Sequence, residues 1–308
     1  VFGSLGGFSP TFEVLLAVRI LQGLGSAGLI NLVMVLISDH WTGLERARLL
    51  GQNSAVITGF LAVFPFLGGA TTDLFGWRWN FAYYGLSLLV GAAVARSLHD
   101  PWSPRRDPIG RQGRDALAEA RVPLTAACIA LGTLIFFVMF GVFLTLVPIH
   151  LAEEFGLGPT ARGIVAAVPA VTSTITSLAV IWFRRRFSVA TMVVGGLAVF
   201  GASFVAMGLG SLWLLVVAAG IYGLAEGMTM PTITDQVAER APDHLRGVLM
   251  AFWVGGLRVG QTTGPLAVGV AMGWWSTATV FVVAGGAVAV IAVLLAASRV
   301  LPSAPSAA

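Results

Sequence analysis

The chain has 308 residues, of which 57% are hydrophobic and only 10% charged, and its mean hydropathy is +0.88. Soluble domains carry about 25% charged residues, so this composition excludes a water-facing globule and points to a polytopic, all-α membrane protein. The net charge of +4 comes from 18 arginines without a lysine. In a soluble domain that balance would suggest nucleic acid. In a membrane chain the arginines are read by position, and no nucleic-acid partner is expected.

In chain order, residues 1–8 (VFGSLGGF) read as the end of a helix, and nine full spans follow. They fall at approximately 13–38, 49–71, 79–98, 122–149, 160–183, 188–209, 211–238, 245–272 and 276–300. The first span contains RILQGLGSAG, in which Gly23, Gly25 and Gly28 satisfy G-x-G-x-x-G. A phosphate loop needs a strand before the glycines and an acid about 20 residues on. Here the apolar run continues unbroken from Val14 to Ile37, with Arg19 its only ionisable residue. That run exceeds the roughly 20 residues a membrane helix requires. Arg19 lies about 9 Å along its helix from the outer end, and a charge there costs at least about 2.5 kcal/mol. Gln22 and Ser26 share its face, which should line the bundle interior. Gly23 and Ala27 read as a close helix contact, and Gly51, Ala55 and Gly59 as a packing stripe in the second span.

Residues 99–121 form the one long polar connection, with three prolines and five arginines. It divides the chain into a front part at 1–98 and a back part at 122–300, followed by a tail at 301–308. If this linker is cytoplasmic, fourteen arginines fall inside and two, Arg78 and Arg162, outside, a strong positive-inside bias. The linker and the C-terminal tail are therefore expected in the cytoplasm, and the RRR run at 184–186 reads as anchoring. Asp39, His40, Asp235 and Glu239 fall at inner helix ends, where solvation accounts for them. The single cysteine, Cys128, excludes a disulfide within the chain, and the four histidines lack metal-ligand spacing, so no metal is expected. Neither H-E-x-x-H nor G-x-S-x-G occurs, and no long loop could hold a catalytic domain, so the chain does not read as an enzyme.

A shift of 200 positions places Gly23 on Gly223, Arg46 on Arg246, Leu49 on Leu249, Pro65 on Pro265 and Gly69 on Gly269. The spans keep their direction, so the repeats are parallel, related by an axis along the membrane normal.

At these residues the sequence resembles the major facilitator superfamily, transporters of twelve helices in two six-helix halves. Leu15, Arg19, Gln22, Gly23, Gly25 and Ala27 match its fourth-helix motif. Gly51, Gly59, Pro65, Gly68 and Gly69 resemble the fifth-helix motif of antiporters, with Phe64 in place of a glycine. Gly260, Gly264, Pro265 and Gly269 form the back-half version, and GWRWNF at 76–81 resembles the entry into the sixth helix. By this resemblance the chain starts at the end of helix three, helices one and two are absent, and transport by this chain alone should be impaired. The resemblance implies proton-coupled efflux of small hydrophobic or drug-like compounds, acting as a monomer in the cytoplasmic membrane, with a proton gradient and no cofactor. A metabolite symporter or uniporter, or a transport-inactive scaffold or receptor, are the alternatives.

The resemblance implies a role for Arg19 in proton transfer or gating. The one deeply placed acid of the spans is Glu226, with Tyr222 a turn earlier on its face. Arg258, followed by Gln261, Gly264 and Pro265, occupies the next span. Helical rise places Glu226 about 8 Å and Arg258 about 16 Å from the inner boundary of a core about 30 Å thick, which predicts a Glu226–Arg258 pair. Gln22, Ser26, Tyr222 and Gln261 are expected to line the substrate cavity. Gly23, Gly59, Pro65, Gly68, Gly69, Gly264 and Pro265 are expected to set helix packing and gating.

Overall fold

The structure is a computed structural model that describes residues 2–26, 33, 36–37, 43–97, 117–240 and 246–302. Among these residues there is no strand, as lipid requires of a chain that does not close a barrel: each backbone donor must be satisfied within its own helix. The elements are α1 (Phe2–Leu5) with a 3-10 turn at Gly6–Phe8, α2 (Phe12–Ser26), α3 (Gly43–Phe75), a 3-10 stretch at Trp77–Ala82 and α4 (Tyr83–Ser97). After the linker come α5 (Pro123–Glu153), α6 (Pro159–Leu178), α7 (Val180–Arg186), α8 (Val189–Met207), α9 (Leu212–Arg240), α10 (Arg246–Met272) and α11 (Thr277–Ser298). Each expected span has a helical counterpart, and α5, α6, α8, α9 and α11 are long and apolar enough to cross a bilayer. Most of the predicted linker, 99–116, lies outside the described residues, as do Ala27, Asp39 and His40.

Local chemistry sets the helix ends. The Ser188 and Ser276 hydroxyls accept the amides of Thr191 (3.1 Å) and Thr279 (3.3 Å), capping α8 and α11. Pro123 sits in the first turn of α5, where its missing N–H is no loss. Gly76, at φ 87°, makes the sharp turn out of α3 that an L side chain would resist. The span expected as one helix at 160–183 is interrupted at Ala179. The Ala179 amide reaches back only three residues, to the Thr176 carbonyl at 3.0 Å, and ends α6 in a tightened turn.

The chain falls into two compact units. The front unit comprises Val1–Pro104 and Gly158–Ile164; the back unit comprises Arg105–Leu157 and Val165–Ala308. The first turn of α6 thus groups with the front unit. There Asp73, near the end of α3, accepts both the Thr160 amide (2.8 Å) and the Thr160 hydroxyl, a carboxylate supplied to a helix N-terminus by another helix. Gly69 lies against the Pro159 carbonyl and Gly163 against the Pro65 carbonyl, so each helix meets the other's backbone with no side chain between. Replacing Asp73 with Ala should speed hydrogen exchange at the Thr160 amide selectively. Unchanged protection there would show the cap to be idle.

The back unit is built on α5, whose middle, Val138–Leu146, winds as a π-helix. The Thr145 hydroxyl follows this wider winding, donating to the carbonyl five residues back, Phe140, at 2.7 Å. α10 packs along α5 through Gly256, Gly260 and Gly264. An added Cβ at Gly260 would meet the Thr133 carbonyl, and at Gly264 the Phe137 carbonyl, while Gly141 of the π-turn faces the Gly264 backbone. Gly201 and Gly285 join α8 to α11 in the same way. Small residues let helices approach where lipid supplies no hydrophobic drive. Gly260→Ala should therefore lower the stability of the purified protein by about 1–3 kcal/mol. Gly269→Ala, where the added methyl meets open space, should leave the melting temperature unchanged or raised. Equal melting temperatures for the two variants would contradict this reading of the seam.

Arg184 and Asp235 form an ion pair (2.5 Å) between α7 and α9. This corrects the expectation that anchoring and solvation alone account for them, although a pair this exposed contributes no more than about 1 kcal/mol.

Candidate functional site

In the front unit, Arg19 projects from α2 into a cluster of aromatic rings. Its Nη1 donates to Gln22 Oε1 (2.8 Å) and to the Tyr84 hydroxyl (3.0 Å). Its guanidinium carbon lies 5.1 Å from the centroid of the Phe81 ring and 5.9 Å from that of Tyr84, within cation–π range. The rings are held from behind by α1 and the 3-10 turn after it: Gly3 of α1 leaves room for Tyr84, and Gly6 of the turn for Phe81. Around them opens a cavity of about 580 Å³, lined by Arg19, Phe64, Gly68, Trp77, Phe81 and Tyr84 among others. Gln22 shares the face of Arg19 and holds its guanidinium, as expected, but it is not among the residues lining the cavity. Tyr84, 65 residues from Arg19, was missed; the aromatic run WRWNFAYY at 77–84 was the available signal. The Ser26 hydroxyl donates to the Gly23 carbonyl (3.2 Å) of its own helix, and Ser26 lies outside the cavity wall.

The glycine expectations divide. Gly69 and Gly264 are at close crossings, and Gly68 lines the cavity. Gly23 and Gly59 are corrected: no atom among the described residues comes within 4 Å of a Cβ built there, because both lie on exposed helix faces. The back-half counterparts of Gly23 and Ala27 behave differently from Gly23. Gly223 meets Pro169 and Thr172, and Gly227 meets the Ser173 carbonyl, so the back unit carries the small-residue crossing that was expected at Gly23. Likewise the α10 seam at 256, 260 and 264 maps onto Val56, Phe60 and Phe64 of α3, which are 55%, 53% and 41% exposed.

Glu226 sits on α9 between Gly223 and Gly227, where α9 and α6 cross beside Ser173. The Ser177 hydroxyl bonds the Gly227 carbonyl at 3.0 Å, tightening the crossing. Tyr222 is corrected as a cavity residue. It is buried, with its ring 5.2 Å from Phe143, 5.0 Å from Phe200 and 5.2 Å from Phe204, in the core of the back unit. Helical spacing puts it near Glu226, but α5 and α8 cover its side of α9.

The predicted Glu226–Arg258 pair does not form. Among the described residues the one ion pair within 4.0 Å is Arg184–Asp235. Arg258 is exposed on α10 and donates to Gln261 Oε1 at 2.6 Å, a local pairing that also accounts for Gln261. Depth alone suggested the pair. The helices decide otherwise, since α10 packs chiefly on α5, α9 on α8 and α5, and the two touch each other over less.

The family model of the Major Facilitator Superfamily matches residues 1–127 and 129–308. The chain belongs to this superfamily. Among solved structures, this superfamily member superposes on a crystal structure of the peptide transporter POT with a TM-score of 0.75 at 14% identity, over 97% of this chain and 77% of that one. A bacterial homologue of the human lysosomal transporter Spinster, inward-facing and occupied, gives 0.68 at 17% identity, over 96% and 78%. At these identities the likeness is one of fold. Curated relatives include the MFS-type transporter TOXA of Cochliobolus carbonum, 33% identical over 34% of this chain, and the quinolone resistance protein NorB of Staphylococcus aureus, 34% identical over 29%. The matched segments span 18% and 19% of those two relatives. This chain is a multi-pass membrane protein of a transporter superfamily.

Proposed function

We propose that this superfamily member acts in proton-coupled efflux of small, rather hydrophobic compounds by alternating access, without enzymatic activity. The observation that carries the proposal is Glu226, a carboxylate at a glycine-lined helix crossing with no cation within 4.0 Å among the described residues. A group held this way can gain or lose a proton without breaking an ion pair, as a carrier must at each half-cycle. The resistance function in the name of NorB supports the efflux direction. The apolar, aromatic cavity beside Arg19 suits such cargo, since ligand sites are mostly apolar with few placed polar groups. In this reading the energy source is the proton gradient, with no cofactor, and Arg19 acts in gating or coupling. Arg258 and Gln261 form a separate polar station on α10. The protein works as a monomer in the cytoplasmic membrane, with the linker and C-terminus inside.

The test is transport in proteoliposomes under an imposed pH gradient, with the chain in its full-length natural context. Uphill movement of a lipophilic dye that collapses with the gradient supports efflux by proton exchange. Movement in the same direction as protons would favour the symporter reading, and dye flux indifferent to the gradient a uniporter.

A further inference from the structure

The cavity beside Arg19 is built to a definite chemistry. Its walls come from four separate segments: α2 gives Arg19, α3 gives Phe64 and Gly68, the 3-10 stretch gives Trp77 and Phe81, and α4 gives Tyr84. Four of these are aromatic, Gly68 adds no side chain to the wall, and about 580 Å³ is room for a fused-ring molecule. The charge is the second feature. Arg19 has five N–H donors, and its described hydrogen bonds, to Gln22 and Tyr84, both run from Nη1 to neutral oxygens. No described carboxylate lies within 4.0 Å of it, and Arg19 remains exposed on the cavity side. Its guanidinium is therefore positioned by Phe81 and Tyr84 with its charge uncompensated and donors to spare. A forked donor set of this kind matches a carboxylate or another planar oxyanion.

We propose that this cavity binds a planar aromatic small molecule bearing an anionic group, with the rings against Phe64, Trp77 and Phe81 and the anion on Arg19. The inference deepens the reading of the chain as a small-molecule carrier, rests on that reading for its physiological meaning, and assigns a ligand class to the front unit.

The test uses three probes with one ring system: naphthoate, its methyl ester and naphthylmethylammonium. Binding is measured by isothermal titration to the 308-residue chain in nanodiscs of zwitterionic lipid. Naphthoate should bind about tenfold or more tighter than its ester, as a charge-assisted pair implies, and the ammonium weakest. Arg19→Gln should bring acid and ester to within about twofold, while Phe64→Ala should weaken both alike. Arg19→Lys, which keeps the charge but loses the fork, should give an intermediate preference. Should Arg19→Gln fail to fold, a salt titration of the wild type replaces it: the acid should weaken with added salt and the ester should not. An ester bound as tightly as the acid, or an acid preference that survives Arg19→Gln, overturns the proposal. So does displacement of naphthoate by phosphatidylglycerol in the disc, which would give the cation to a lipid headgroup. Transport without acid preference removes this inference and leaves the carrier; acid preference without transport does the reverse.

Discussion

Replacing Arg19 with Ala in the full-length protein should reduce transport at least about tenfold, the scale of losing one charged hydrogen-bonded group, with normal insertion and expression. The argument is geometric. One guanidinium spans Gln22 Oε1, the Tyr84 hydroxyl and the face of Phe81, and so ties α2 to α4 and to the 3-10 stretch between α3 and α4. A lysine ammonium is a point charge on a flexible stem and cannot lie flat on the ring while holding both oxygens. Arg19→Lys should therefore recover only part of the activity, although the net charge is unchanged. Tyr84→Phe, which removes one acceptor and keeps the ring, should cost less than either. Normal transport by Arg19→Ala would show instead that the side chain only snorkels to the outer headgroups.

The spans were legible because lipid imposes a length and a composition that few other environments do. The 200-residue shift was legible because it repeats punctuation, Gly-Leu, Arg and Pro, which marks backbone geometry. Repetition of sequence did not carry repetition of contacts: Gly223 is packed and Gly23 is open, Gly69 is packed and Gly269 is open. A glycine says that a backbone can approach there, and the neighbouring helix decides whether one does. Tyr222 shows the limit of periodicity, since a face shared with Glu226 along one helix can still turn into the core when two other helices cover it. The Arg19–Tyr84 and Arg184–Asp235 bonds join residues 65 and 51 positions apart. Such contacts depend on side-chain direction at a crossing, which neither hydropathy nor motif spacing records.

Glu226→Gln should abolish concentrative transport while leaving downhill exchange, the second large effect. Glutamine keeps the volume of the side chain and a carbonyl acceptor beside Ser173, so folding should be preserved. It cannot exchange a proton, so a pH gradient should no longer drive cargo. Accumulation against a gradient should fall to background while exchange across equal pH stays within about threefold of wild type, less than the 1.4 kcal/mol that a tenfold change represents. Ser173→Ala removes only the hydroxyl and should move the pH at which transport is half-maximal without abolishing coupling. A purely structural Glu226 would show no such shift. Arg258→Gln supplies the control. Because Arg258 is bonded to Gln261 and not to Glu226, the two charges should act independently. The double variant should then show the sum of the single effects on stability, within about 0.5 kcal/mol. A paired carboxylate and guanidinium would instead show rescue, the second neutralisation repairing the damage of the first. Uphill transport by Glu226→Gln at the wild-type rate would move the proton site elsewhere in the chain.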